Sequence, residues 1–90
     1  MYESVKFHAK LQKGSRVQVP RMVRWRFKLE SYQILEVTVN VVGVWSGFQS
    51  FLARMSKDGR IVIPKQTLGL LGQNQFKIEG RILEVTLAPS

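Results

Sequence analysis

One eight-residue device occurs twice in this chain, and any fold the chain adopts must use it twice. Lys57-Asp58-Gly59-Arg60-Ile61-Val62-Ile63-Pro64 reads as a tight turn, a short buried strand and a proline that ends the strand and can open a helix. Lys13-Gly14-Ser15-Arg16-Val17-Gln18-Val19-Pro20 is its earlier counterpart.

The correspondence extends beyond the device. At an offset of 44 residues Phe7 meets Phe51, Ala9 meets Ala53, Arg16 meets Arg60 and Pro20 meets Pro64. After the prolines the offset becomes 48, so that Ile34-Leu35-Glu36-Val37-Thr38-Val39 faces Ile82-Leu83-Glu84-Val85-Thr86-Leu87. Phe27-Lys28-Leu29-Glu30 resembles Phe76-Lys77-Ile78-Glu79 in the same way, at an offset of 49. The chain reads as a duplicated unit, with repeats at 5–42 and 49–88 joined by a linker at 43–48 that contains Trp45.

Each unit has a physical reading. Val5, Phe7, Ala9 and Leu11 alternate with polar residues, as do Phe51, Ala53 and Met55, which is the period of a half-buried strand. Gly14-Ser15 and Asp58-Gly59 stand where a two-residue hairpin turn belongs. The next strands, 16–19 and 60–63, are short. Lys65 to Leu71 then predicts a helix with Leu68 and Leu71 inward and Gly72 as its stop. Arg21 to Lys28 fits either a short helix with Val23 and Phe27 inward or a strand, since Val23, Trp25 and Phe27 also alternate. Leu35, Val37, Val39 and Val41, and later Leu83, Val85 and Leu87, form the last strand of each unit, with Gly80 a turn or bulge before the second. The fold class is therefore all-β with one or two short helices. Three strands cannot cover their own apolar face, whereas two intertwined units close a six-stranded barrel about an internal pseudo-twofold axis.

Ninety residues allow one such domain, and 44% hydrophobic with 22% charged residues is a globular composition. No cysteine is present, which excludes disulfides and thiolate metal sites. The longest apolar run, Val41 to Trp45, is too short to span a bilayer, and the first twenty residues hold no continuous apolar stretch of a signal peptide. A cytoplasmic protein without membrane association is expected. The net charge of +8 favours polyanionic partners.

A basic turn with Gly or Asp-Gly, Arg, a short β-branched run and Pro, then a helix and Leu-Glu-Val, resembles the repeat of AbrB/MazE-type swapped-hairpin transcription factors. In that family two chains each contribute one unit to an interleaved barrel. Both units here lie in one chain, which is similar to the fused cradle-loop barrels and above all to small archaeal RIFT-barrel proteins. The resemblance spans about Val5 to Leu87 and departs from the pattern after Pro20, where the first unit lacks a clean amphipathic helix. It implies a barrel and, because duplication removes the need for a second chain, a monomer. It also places Lys13, Arg16, Lys57 and Arg60 where the regulators' loops contact DNA.

Half of the 14 basic residues, Lys10, Lys13, Arg16, Arg21, Arg24, Arg26 and Lys28, fall in a 19-residue stretch without an acid. A helix over 21–28 puts Arg21, Arg24 and Lys28 on one side beside Trp25, a stripe suited to phosphate contacts with base or sugar stacking. The alternative is a solvated basic face with Trp25 partly packed inward. Arginine forks at 16 and 60 fit phosphate or guanine edges, and Lys65 adds charge at the second helix start. His8 is a lone histidine on the polar face of its strand, so no metal site follows. Glu36 and Glu84 occupy equivalent positions and read as outward residues offsetting nearby bases rather than as an acid-base pair. No nucleophile-base set and no phosphate-binding glycine loop is recognisable, so neither enzymatic activity nor a cofactor is expected.

The expected function is nucleic-acid binding, DNA before RNA, in transcriptional regulation. The alternatives are a scaffold barrel with an acidic protein partner, which an exposed apolar patch at Trp45 and Phe48 would favour, and a small-ligand site in the cradle as in riboflavin-related barrels.

Overall fold

The computed structural model describes residues 3–43, 47–72 and 79–90. In chain order these form β1 (Val5–Lys10), β2 (Arg16–Gln18), α1 (Arg21–Arg26), β3 (Ile34–Val41), β4 (Gln49–Arg54), β5 (Arg60–Val62), α2 (Lys65–Leu71) and β6 (Ile82–Pro89). The described residues are thus mostly β with two short helices. The six described strands make a four-stranded antiparallel sheet, ordered β1-β6-β3-β4, and a two-stranded ribbon of β2 and β5.

No strand of the large sheet pairs with a strand from its own half of the sequence. β1 lies on β6, with Val5 opposite Leu87 and Lys10 opposite Ile82. β4 lies on β3, with Gln49 opposite Val39 and Arg54 opposite Ile34. Moving β1 forward by 44 residues and β6 back by 48 converts the first register into the second, residue for residue. The β3–β6 and β2–β5 ladders map onto themselves under the same shifts: Val37 faces Leu87 as Val39 faces Val85, and Val17 faces Ile61.

The inward residues of both sheets meet in one core. Leu35, Val37, Val39 and Val41 of β3 and Leu83, Val85 and Leu87 of β6 are fully buried, as are Val17, Val19, Ile61 and Ile63 from and just beyond the ribbon. Val5, Phe7 and Ala9 on β1 and Phe51 and Ala53 on β4 pack against them from the sheet edges, half-buried. Burial of each aliphatic side chain contributes about 1.5–3 kcal/mol, so the two central strands dominate the apolar stabilisation. The radius of gyration, 12.3 Å, matches the ~12 Å expected for one compact domain of this length.

Each proline ends the ribbon by withholding a backbone donor. Val19 N–H donates to the Gly59 carbonyl oxygen and Ile63 N–H to that of Ser15, both at 2.8 Å. Pro20 and Pro64 follow without an N–H to continue the ladder, and their extended backbones occupy the helix N-cap positions. α2 runs over the predicted residues, with Leu71 buried, Leu68 packed on the core and Gly72 at the C-cap.

Two expectations are revised. The turns at 14–15 and 58–59 are three-residue connections. Gln12 and Arg16 exchange backbone hydrogen bonds across 13–15, and Ser56 N–H donates to the Arg60 carbonyl oxygen across 57–59. Neither joins a hairpin ladder between β1 and β2 or between β4 and β5, because the first strand of each pair is taken by the large sheet. The helix after Pro20 stops at Arg26 instead of Lys28. Lys28 turns left-handed at φ 55°, its N–H donates to the Trp25 carbonyl oxygen, and Leu29 N–H donates to that of Arg24. That is a Schellman closure, made here without the usual glycine. Glu36 and Glu84 do not meet: Glu36 faces Ala88 and Glu84 faces Asn40. Trp45 and the match of Phe76-Lys77-Ile78 to Phe27-Lys28-Leu29 lie outside the described residues.

Candidate nucleic-acid interface

In the β2–β5 ribbon Val17 and Ile61 point into the core, which leaves Arg16, Gln18, Arg60 and Val62 on the opposite face. Arg16 stands opposite Val62 and Arg60 opposite Gln18, so the two arginines are diagonal neighbours, with Cα atoms about 7–8 Å apart by sheet geometry. Gln18 ties this face together. Its Nε2 donates to the Asp58 carbonyl oxygen at 2.7 Å, and its Oε1 accepts from Arg60 Nε at 3.4 Å.

The strand exchange also determines which basic segments meet. The 57–59 turn, from the second half, packs on the first half around α1. Ser31 Oγ donates to the Lys57 carbonyl oxygen, and the Arg24 side chain lies over Gly59 so closely that a Cβ there would sit 2.6 Å from its Nε and Cζ. Lys57 and Arg60 thereby join the segment carrying Arg21, Arg24, Trp25, Arg26 and Lys28. At the other end of the ribbon the 13–15 turn adjoins Ile63 and Pro64, grouping Lys13 and Arg16 with Lys65. Lys13 also shares an open cleft of about 480 Å³ with Lys10, Gln12 and Glu79.

The single stripe of Arg21, Arg24 and Lys28 expected from helical spacing does not form. Lys28 lies beyond the helix, and Arg24 turns onto Gly59, where its Nε is buried with no hydrogen-bond partner. Arg16 likewise folds back over Gly14 with its Nε buried. Arg21, Arg26, Lys28, Lys57, Arg60 and Lys65 are exposed. Trp25 is not packed inward; it is 75% exposed, beside Met22 at 68%. α1 contains no buried residue, and its end carries two open clefts. One, about 480 Å³, is lined by Trp25, Arg26 and Lys28; the other, about 390 Å³, by Glu3, Arg26, Phe27 and Lys28.

Electrostatics separates this region from the sheet. Among the described residues both ion pairs converge on Glu84, with Lys6 at 3.4 Å and His8 at 3.9 Å on the outer face of β1 and β6. None of the nine basic candidates is paired with a described acid. Gln18, Met22 and Glu3 are the members sequence reasoning missed. Gln18 was readable from its alternation with Val17 and Val19, and Met22 from its three-residue spacing to Trp25. Nothing in the sequence marks Glu3, which reaches the cleft only through the fold.

The described residues define a class, a small two-sheet β protein carrying short helices after paired prolines, in which no described helix is long and apolar enough to cross a membrane. A solution structure of PHS018 from Pyrococcus horikoshii is similar to it: the TM-score is 0.78 at 25% identity, over 99% of this chain and 94% of that one. No family model and no curated protein sequence matches the chain.

Proposed function

We propose that this chain is a non-enzymatic nucleic-acid-binding module, acting on DNA ahead of RNA in a regulatory role. It grips phosphates through the basic turns and the 21–28 segment. The observation that carries the reading is the lack of internal compensation. The chain holds 14 basic and 6 acidic residues, and the described ion pairs are spent at Glu84, away from the nine basic candidates. Unpaired cations at this density repel one another and are relieved by a polyanion.

In the same reading the two sheets are one cradle-loop barrel of the RIFT type, built from a duplicated AbrB/MazE-like unit with internal pseudo-twofold symmetry. The interconverting strand registers and the shared core support it. Such a chain works as a cytoplasmic monomer, each half supplying what a second chain supplies in the homodimeric regulators.

The test is fluorescence anisotropy on a labelled DNA duplex across a salt series. With about 5 phosphate contacts, log affinity against log salt should slope between about −4 and −5. The combined Arg21→Ala, Arg26→Ala, Lys28→Ala variant alters exposed side chains only and should shrink the slope by about 2.7 whatever the sequence. Absence of binding at low salt removes the proposal. A second reading, a scaffold with an acidic protein partner, draws on Phe48 and Leu52, 60% and 65% exposed at β4. A partner of that kind survives nuclease treatment in a pull-down, whereas a nucleic-acid one does not.

A further inference from the structure

We infer that the end of α1 takes an unpaired base, so that this face binds single-stranded DNA in preference to duplex, an inference resting on the nucleic-acid reading above. Trp25 is not among the residues that form or pack against the core, to which α1 turns Val23 instead, and the indole is three-quarters exposed. Met22, one turn earlier on the same helix face, is also exposed and extends the apolar platform. An indole face so presented matches the π-face of a nucleobase, and every base has one. Within a duplex those faces are covered by neighbouring base pairs, so only an unstacked base reaches the ring.

The charges around Trp25 fix how a strand would lie. Arg26 and Lys28 form the wall shared by the two clefts. On the Trp25 side that wall presents cations beside the aromatic ring and, among the described residues, no acid. On the Phe27 side the same wall faces Glu3, whose carboxylate repels a phosphate. The sugar-phosphate backbone is therefore held on the Trp25 side, with a base on the indole and the flanking phosphate against Arg26 and Lys28. The left-handed turn at Lys28 makes this possible. It closes the helix, whose last residue is Arg26, and leaves both cations lining one cleft. A continuation of the helix would rotate Lys28 about 200° from Arg26, onto the opposite side.

The experiment uses the full chain with oligo(dT) of about 15 nucleotides, a duplex of equal length and poly-glutamate as an acidic-peptide competitor. Trp25→Ala should weaken oligo(dT) binding about tenfold or more, within the range measured for base–aromatic stacking, and leave duplex affinity within about threefold. Trp25→Phe should restore most of the loss, and the tryptophan quenching that oligo(dT) produces in the unaltered chain should shrink in that variant. Equal effects of Trp25→Ala on single strand and duplex, or no effect on either, overturn the inference while leaving the phosphate reading standing. Displacement of oligo(dT) by poly-glutamate at matched charge also overturns it, because a base platform would then play no part. Failure of both DNA forms to bind at low salt removes the parent reading as well.

Discussion

Replacing Gly59 by alanine should reveal how tightly the two halves of the sequence are fitted together. Gly59 has φ 81°, and a side chain in that left-handed region costs about 1–2 kcal/mol. The added methyl would also lie 2.6 Å from Nε and Cζ and 2.7 Å from Cδ of Arg24, so the Arg24 side chain must leave its place. Arg24 Nε has no hydrogen bond to lose, so that displacement amounts to a rotamer change of about 0.5–1.5 kcal/mol. Together the terms predict about 2–3 kcal/mol, which for a domain this small is a fall in Tm of roughly 10–20 °C. The assay is thermal and urea unfolding by circular dichroism on a double-mutant cycle with Arg24→Ala. In the alanine-24 background the methyl meets open space and only the backbone cost remains, giving a coupling of about 1 kcal/mol. If Gly59→Ala costs the same in both backgrounds, the packing of Arg24 across the turn carries no energy. If it costs nothing in either, the turn does not require a left-handed residue.

Three further outcomes follow from other positions. Lys28→Gly should raise stability by about 1 kcal/mol, because the Schellman position then carries no Cβ, while oligo(dT) binding weakens through the lost cation; unfolding and anisotropy on one sample check both signs. Leu83→Ala, at a fully buried site between β1 and β3, should cost about 2–5 kcal/mol by urea titration, and a loss under 1 kcal/mol would contradict the core as described. Glu84→Gln removes the acid that Lys6 and His8 share, yet Lys6 is largely exposed, so the loss should stay below about 1 kcal/mol and vanish in high salt.

The strands and helices were legible because their residues repeat with clear period. Leu35 to Val41 and Leu83 to Leu87 alternate without interruption and are buried as alternation demands. α2 carried both a proline start and a glycine stop, whereas α1 had only the start. Its end at Arg26 depends on a lysine adopting a conformation that propensity assigns to glycine, so spacing alone ran the helix too far. The same overrun merged Arg24 with Lys28 into one stripe. That Arg24 instead lies over Gly59 is a tertiary fact, arising from the placement of a turn 35 residues away in sequence, and no local pattern encodes it. The exposure of Trp25 was similarly undecidable, since an indole on a two-turn segment suits either side.

The pairing of β1 with β6 has a consequence for how the protein is made. A ribosome releases residues 5–10 early, but the strand that satisfies their backbone groups is 82–87, which emerges after all the other described strands. Until then the nascent chain carries an unzipped edge, and β3, already beside β4, waits for the same late segment on its other side. The sheet therefore closes in a single step once β6 has emerged. Premature termination anywhere before residue 82 yields a sticky fragment for the cell's quality control rather than a smaller working domain.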